Sequence, residues 1–478
     1  MRKIDFFQKK YPQFVYQGFK IKLLKSGLKI SFDFRIQTAS SAICNCFAIK
    51  EPGIYFKPEI LIKGVKNRQL KRVGERALNN LVFHLGLIEM LSYWKATCSP
   101  VIIIKAGPLK KEQIKWWQRV IEKGMAQFFY ENKINFQRPR LKAFNPFSVK
   151  KAMVTRKSKP LKVLVPIGGG KDSIVTLELL KKADFNIKCF ALNPSFFVQQ
   201  IMKKGGFKNL VIIERNLDKT LLKLNQKGFL NGHTPFSAYL AFLSLLVAAL
   251  FDRKYIAFSN EKSANEGNVR YLGKNVNHQW SKSFEFEKMF RDYSKKYLTK
   301  NIEYFSFLRP LYEIQVAKIF SNFPEYFPLF LSCNRAYRFQ MRKSKSKSES
   351  WCSQCPKCLS IFILLSPFLE KEELLKIFGK NLLQDKKLFP LILQLIGERG
   401  KKPFECVGTK KETLVALYLG WKKGSISDLT EYFAKKVFLK YPQLQRESKR
   451  ILNSWDKNNF LAKDFEKLLK NEIKRFKK

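Results

Sequence analysis

Polar and apolar residues alternate along Lys20–Ile36, on either side of a Lys-Ser-Gly triplet at 25–27. Successive strand side chains face opposite ways, so this pattern predicts a β-hairpin. The rhythm then changes. Between Arg76 and Trp94, Leu78, Leu81, Val82, Leu85 and Ile88 recur at helical spacing and form one apolar face. His84 lies within that stretch with no other reactive group repeating nearby, and reads as a packing or surface histidine. A second amphipathic helix is expected over Glu112–Asn132, and basic, polar Val149–Lys159 reads as a linker.

Beyond the linker, short apolar runs alternate with helical stretches. Lys162–Ile167 predicts a strand and Asp172–Ala183 a helix. Further strand-like runs follow at Ile187–Leu192, Leu210–Arg215 and Tyr255–Ser259. This alternation predicts an α/β fold with a doubly wound parallel sheet. Ligands of such sheets sit at the carboxyl ends of the strands, which places Gly168–Ser173, Asn193 and Ser259–Glu261 on one rim. From Phe368 to Lys478 the chain reads as helical, polar and Lys-rich. The expected organisation is an α+β N-terminal domain (1–155), an ATP-binding catalytic domain with a cysteine cluster (156–367) and a helical C-terminal region (368–478).

Composition adds little to the fold but bounds the function. At 478 residues, 45% of them apolar, the chain has material for two or three domains. The 91 Lys and Arg against 38 Asp and Glu give a formal charge of +53, which attracts phosphates, nucleic acid or anionic membranes. Lys and the 44 Phe both have AT-rich codons, so coding bias explains much of the excess and the charge only permits an anionic ligand. The longest apolar run, Phe236–Phe251, falls short of the roughly 20 residues that span a bilayer. It is also interrupted by Ser237, Tyr239 and Ser244, so a buried helix and no membrane insertion are expected. The N-terminus lacks the apolar run of a signal peptide, and the nine cysteines are not laid out as a disulfide scaffold; a reducing cytoplasm is expected.

The densest chemistry is Pro166-Ile167-Gly168-Gly169-Gly170-Lys171-Asp172-Ser173, between a strand and a helix. Glycines let main-chain N–H groups turn toward an anion, and the helix adds the positive end of its dipole. Lys171 is suited to neutralising phosphate, Ser173 to donating a hydroxyl, and Asp172 to holding magnesium or capping the helix. The spacing matches neither a Walker A loop nor Gly-x-Gly-x-x-Gly. It resembles the PP-loop of the ATP pyrophosphatase superfamily, Ser-Gly-Gly-x-Asp-Ser, with Gly168 in place of the first serine.

Further strings narrow the resemblance: Asn231-Gly232-His233-Thr234-Pro235, Ser259 to Asn268, Asn277 to Glu287, and Ser332-Cys333-Asn334-Arg335 through Trp351-Cys352 to Cys358. With the glycine loop, their order and spacing resemble the MurL family, the UDP-N-acetylmuramoyl-L-alanyl-L-glutamate epimerases of peptidoglycan synthesis. The resemblance implies L-to-D epimerisation of the terminal glutamate of a UDP-muramoyl dipeptide, consuming ATP with Mg2+ and releasing AMP and pyrophosphate. On that reading Gly168, Gly169, Gly170, Lys171, Asp172 and Ser173 hold pyrophosphate, and Asn193, Ser259 and Asn260 complete the nucleotide site. Asp172 with Glu261 or Glu266 supports magnesium. His233 and His278 are the expected acid–base pair, while Lys262, Lys282 and Arg335 meet substrate carboxylates or phosphates.

Cys352, Cys355 and Cys358, with Cys333 upstream, suit tetrahedral zinc or an iron–sulfur cluster. Zinc is favoured by analogy with the 7-cyano-7-deazaguanine synthases, and Cys333 is alternatively an active-site group. Cys44, Cys46, Cys98, Cys189 and Cys406 read as ordinary small buried residues. The rival reading is a PP-loop enzyme acting on RNA, a tRNA thiolase or lysidine synthase-like ligase. A non-enzymatic nucleic-acid-binding protein would leave the glycine loop unused. No RNA-binding module is recognisable, so no obligatory nucleic acid partner is expected.

Overall fold

The computed structural model describes residues 2–39, 53–143, 153–154, 161–208, 210–335, 351–424 and 432–475. The Lys-Ser alternation at 343–348 and most of the expected linker lie outside them.

The hairpin forms as β1 (Gln13–Leu24) and β2 (Gly27–Gln37), closing at the Leu24–Gly27 pair. Gly27 has φ +146°, and a Cβ there would lie 2.1 Å from the Ile62 carbonyl oxygen, so only glycine fits. The remaining strands are β3 (Ile54–Phe56), β4 (Glu59–Lys63), β5 (Val101–Ile104), β6 (Arg140–Ala143), β7 (Lys162–Pro166), β8 (Asn186–Leu192), β9 (Leu210–Asn216) and β10 (Tyr255–Phe258). A small ribbon, β11 (Val269–Tyr271) with β12 (Lys274–Val276), stands apart, and β13 (Glu303–Ser306) ends the series.

One sheet carries eleven of these strands in the order β13-β10-β7-β8-β9-β4-β2-β1-β5-β6, with β3 beside β2. Its first five strands are all parallel. Numbered by their own sequence they run 5-4-1-2-3, so the chain reverses its direction of winding between β7 and β10. That is the switch point at which doubly wound sheets bind ligands.

The expectation of a doubly wound parallel sheet therefore holds for this half only. At β9 the N-terminal strands join antiparallel, Glu59 opposite Asn216 and Ile62 opposite Ile213. The sheet as a whole is mixed, and position 155 does not separate two sheets. Pairing between segments some 150 residues apart leaves no local trace in either segment, which is why periodicity did not reveal it.

Eight helices matter for the site: α1 (Glu75–Glu89), α2 (Lys111–Gly124), α3 (Lys171–Lys182), α4 (Phe236–Leu250), α5 (Phe284–Tyr297), α6 (Glu313–Phe320), α7 (Pro356–Leu365) and α8 (Lys410–Lys422). The amphipathic stretch expected over Glu112–Asn132 is interrupted at Met125, which leaves helical geometry before Ala126–Glu131 resumes.

Alternate strand residues feed two cores. Leu164, Phe190, Ile213 and Ile256 pack with α1, α2, α4 and α5. Val163, Val165, Cys189 and Ala257 pack with α3, α6, α7 and the C-terminal helices. The basic helical tail thus supplies part of one layer; Phe465 reaches Phe185 and Phe305 at ring distances of 4.5 and 4.8 Å. α4 is buried as expected, and among the described residues no helix is long and apolar enough to cross a membrane.

Candidate functional site

β7 stops at Pro166 and α3 begins at Lys171, leaving Ile167 and three glycines to make the turn. Gly169 takes φ +85°, a left-handed conformation that side chains resist. At exposed Gly168 a Cβ would meet nothing within 4 Å, so the bend opens outward. From behind, the loop is held by the Leu331 N–H, which donates to the Gly169 carbonyl at 2.9 Å. The Ser173 hydroxyl donates to the Gly170 carbonyl at 2.9 Å and so braces the turn internally.

Charge crowds beside this bend. Buried Lys171 pairs with Asp172 and, at 3.0 Å, with Glu313 at the start of α6. Lys357 reaches the same Glu313 oxygen at 3.3 Å. Although burial opposes it, these two lysines pull the Glu313 carboxyl below its ordinary range. Glu261, after β10, is buried too, but among the described residues no hydrogen bond or ion pair reaches its carboxylate. Burial, with the charges of Asp172 and Glu313, pushes it up to about 7. Lys171 and Lys357 thus make the ion pairs to Asp172 and Glu313, while Glu261 beside them has none among the described residues, an arrangement that favours a divalent cation. Glu266, the alternative partner for Asp172, is engaged by Lys402 at 2.8 Å and the Lys410 N–H at 3.1 Å.

Arg309 sets the opposite wall. Fully buried, it pairs with Glu287 of α5 at 3.0 Å and donates to the main-chain carbonyls of Glu261, at 2.7 Å, and Lys282. One guanidinium therefore fixes the backbone beneath two expected site residues.

His233 and His278 do come together, their ring centroids 4.7 Å apart. Their planes are tilted by 49°, and that separation leaves no room for a tetrahedral carbon between them, so as placed they do not straddle a reacting centre from opposite faces. His278 Nδ1 hydrogen-bonds with Gln127 Oε1 at 2.6 Å, and its main-chain N–H donates to Asn268 Oδ1 at 2.8 Å. Burial and the neighbouring His278 depress His233 to about 3, which keeps that ring neutral. Lys282 donates to the sulfur of Cys406 at 3.2 Å. Cys406 is only half-buried and is no ordinary packing cysteine: it belongs to this cluster. Nothing in its sequence surroundings, Phe404-Glu405-Cys406-Val407, distinguished it.

Other expected residues have other tasks. Lys262 pairs with Asp456 at 3.3 Å and lies over the Tyr312 ring. The exposed Asn193 clasps the β9 end, accepting from the Arg215 N–H at 2.8 Å and donating to its carbonyl at 3.0 Å. Asn260 donates to the Ser306 hydroxyl at 3.0 Å, whereas the buried Ser259 hydroxyl has no partner among the described residues. Arg335 is exposed. Glu313, Arg309, Gln127 and Cys406 escaped the sequence reading, because each comes from a segment with no motif of its own, and Lys357, within the cysteine string, was given no role there.

Cys333, Cys352, Cys355 and Cys358 form the second centre. Their sulfurs all lie within 4.8 Å of one another, with 3.7 Å for Cys333–Cys355, 3.6 Å for Cys352–Cys358 and 3.4 Å for Cys355–Cys358. Cys333 is thus part of this cluster. Cys98 and Cys189 are buried as expected, and Cys44 and Cys46 lie outside the described residues.

Residues 28–307 match the MurL N-terminal domain and residues 329–446 the MurL C-terminal domain. The first of these runs across position 155, as the sheet does. Three relatives carry the name UDP-N-acetyl-alpha-D-muramoyl-L-alanyl-L-glutamate epimerase. The protein from Micromonospora sp. is 34% identical over 335 residues, 70% of this chain and 73% of the relative. The Salinispora tropica protein is 33% identical, covering 72% and 74%, and that of Xanthomonas oryzae pv. oryzae 34%, covering 72% and 76%. On the match of both family domains and these three relatives, the chain belongs to the MurL family.

Proposed function

We propose that this protein epimerises the terminal L-glutamate of UDP-N-acetylmuramoyl-L-alanyl-L-glutamate to D-glutamate, using ATP and Mg2+ and releasing AMP and pyrophosphate as a PP-loop enzyme does. The observation that carries the reading is the glycine bend at the sheet's switch point, lying beside three clustered carboxylates of which Glu261 has no ion pair among the described residues. The relatives bearing this name support the substrate.

The chemistry explains why such a site is needed. A Cα proton beside a carboxylate is barely acidic, because its loss sets a second negative charge next to the first. ATP supplies an adenylyl group that cancels the first charge and leaves a carbonyl able to delocalise the carbanion. The main-chain N–H groups of Gly168–Gly170 and the start of α3 suit the phosphates. Asp172 and Glu261 are suited to the magnesium ion, and its double charge would keep Glu261 ionised. Lys282, steadied by Arg309, is suited to a substrate carboxylate or phosphate.

The cysteine quartet fits a single tetrahedral ion. Zinc–sulfur bonds of about 2.3 Å put sulfurs about 3.8 Å apart, close to the spacings here. A four-iron cluster inserts its own iron and sulfide between the thiolates and spreads them further. We therefore assign the quartet to structural Zn2+. It would brace the site, since Leu331 holds the glycine loop next to Cys333 and Lys357 leaves the Cys355–Cys358 turn for Glu313. A nucleotide-linked substrate and a thiolate ligand set would both suit a reducing cytoplasm.

The test is direct. The protein is incubated with ATP, Mg2+ and the UDP-muramoyl dipeptide, and AMP release is scored together with glutamate chirality. Both are expected, each dependent on the other substrate. AMP release without D-glutamate, or D-glutamate without ATP, would reject the mechanism.

A further inference from the structure

Cys406 differs from every other described cysteine. Cys98 and Cys189 are enclosed, and burial pushes the Cys189 thiol up to about 12. The quartet cysteines face one another. Cys406 instead keeps part of its surface open and accepts a hydrogen bond from the Lys282 ammonium. The groups facing it are Lys282, His278, Lys357 and its neighbour Glu405. Burial alone would raise this thiol, but Lys282, His278 and Lys357 draw it down to about 5, the behaviour of a reactive thiolate. Both donors are anchored: Lys282 through Arg309 at its carbonyl, His278 through Gln127 and Asn268. A packing role would be served by a neutral thiol and needs none of these cations.

We infer that Cys406 is the group that takes the proton from the glutamyl Cα of the substrate. The inference rests on the epimerase reading above. As the Cα–H bond breaks, an Sγ–H bond forms and the C–H electron pair moves into the carbonyl of the activated carboxyl. A general acid on the opposite face returns a proton to Cα, and the Sγ proton is lost to solvent through the open part of the Cys406 surface, so one proton enters and one leaves. Sulfur is well matched to this task, because a thiolate that persists at neutral pH accepts a proton without first losing its own.

The experiment follows Cα deuterium incorporation in D2O alongside AMP release, for the wild-type protein, Cys406→Ser and Cys406→Ala. Exchange is expected to fall by about 100-fold or more relative to AMP release in both variants. Equal loss of the two, or undiminished exchange, overturns the role of Cys406. Absence of both activities from the wild-type protein would instead reject the proposed function. A second measurement does not depend on these variants folding. In the wild-type protein, iodoacetamide labelling resolved by peptide mass is expected to modify Cys406 at pH 6 faster than Cys352. ATP with dipeptide should protect it, and Lys282→Met should slow it. Labelling no faster than Cys352, or unaffected by ATP with dipeptide, overturns the inference.

Discussion

Two buried polar clusters belong to the two different cores of the molecule, and they are built on opposite principles. Around His84, in the N-terminal half, every group is answered. Its ring bonds to the Asn80 carbonyl at 2.8 Å and the Tyr293 hydroxyl at 2.9 Å, and that hydroxyl also accepts from Gln113 and Trp117. Around Lys171, at the ends of the parallel strands, Asp172 and Glu313 are paired with lysines while Glu261, buried against both, is left without an ion pair among the described residues. A satisfied network stabilises a core; like charges held together store repulsion that only a ligand removes. The contrast separates scaffold from site without reference to any motif.

The comparison can be broken in order of expected effect. Cys355→Ser should do most, because the quartet clips both the glycine loop and Lys357 into place. Bound zinc should be lost, and AMP release should fall by about 100-fold or more, as expected when reacting groups shift by an ångström. Metal content and turnover check both; full activity without metal would show that the bracing is not needed.

Glu261→Gln comes next and tests the site's sign. The folded carboxyl sits at about 7, above its ordinary 4.5, so its stabilising contribution is complete below 4.5 and is lost as pH rises through 7. In metal-free protein the melting temperature should fall across that window. Mg2+ should reverse the fall, and the variant should lack it while losing turnover.

His84→Leu should have the smallest effect, on the order of 1–3 kcal/mol for broken buried hydrogen bonds, with turnover retained. Its pH sign is the mirror image. Burial depresses His84 from 6.5 to about 4, so its contribution is complete above 6.5 and is lost as pH falls through 4. Urea unfolding at pH 7 and pH 4 measures this. A loss of turnover in His84→Leu would erase the distinction between the two clusters.

Local pattern reached far into this protein. The hairpin, α1, α3, α4 and the strands β7–β10 are each visible in residue spacing, because periods of two and of 3.6 record which side chains face the core. The glycine loop was legible for a related reason, since a bend that offers main-chain N–H groups requires residues without side chains. The spacing of Cys352, Cys355 and Cys358 likewise foretold a cluster, which Cys333 completes.

What spacing does not carry is partnership between distant segments. That β9 pairs with β4, that Arg309 underpins Glu261 and Lys282, that Glu313 meets Lys171, and that Cys406 lies against Lys282 are all contacts across 27 to about 155 residues. Arg309, Glu313 and Cys406 each have an unremarkable neighbourhood in the chain. The sequence determined which elements form and where the glycine turn lies. Only the tertiary structure decided which charges share a buried space, because the energy of a buried charge depends on its spatial neighbours rather than its sequence neighbours.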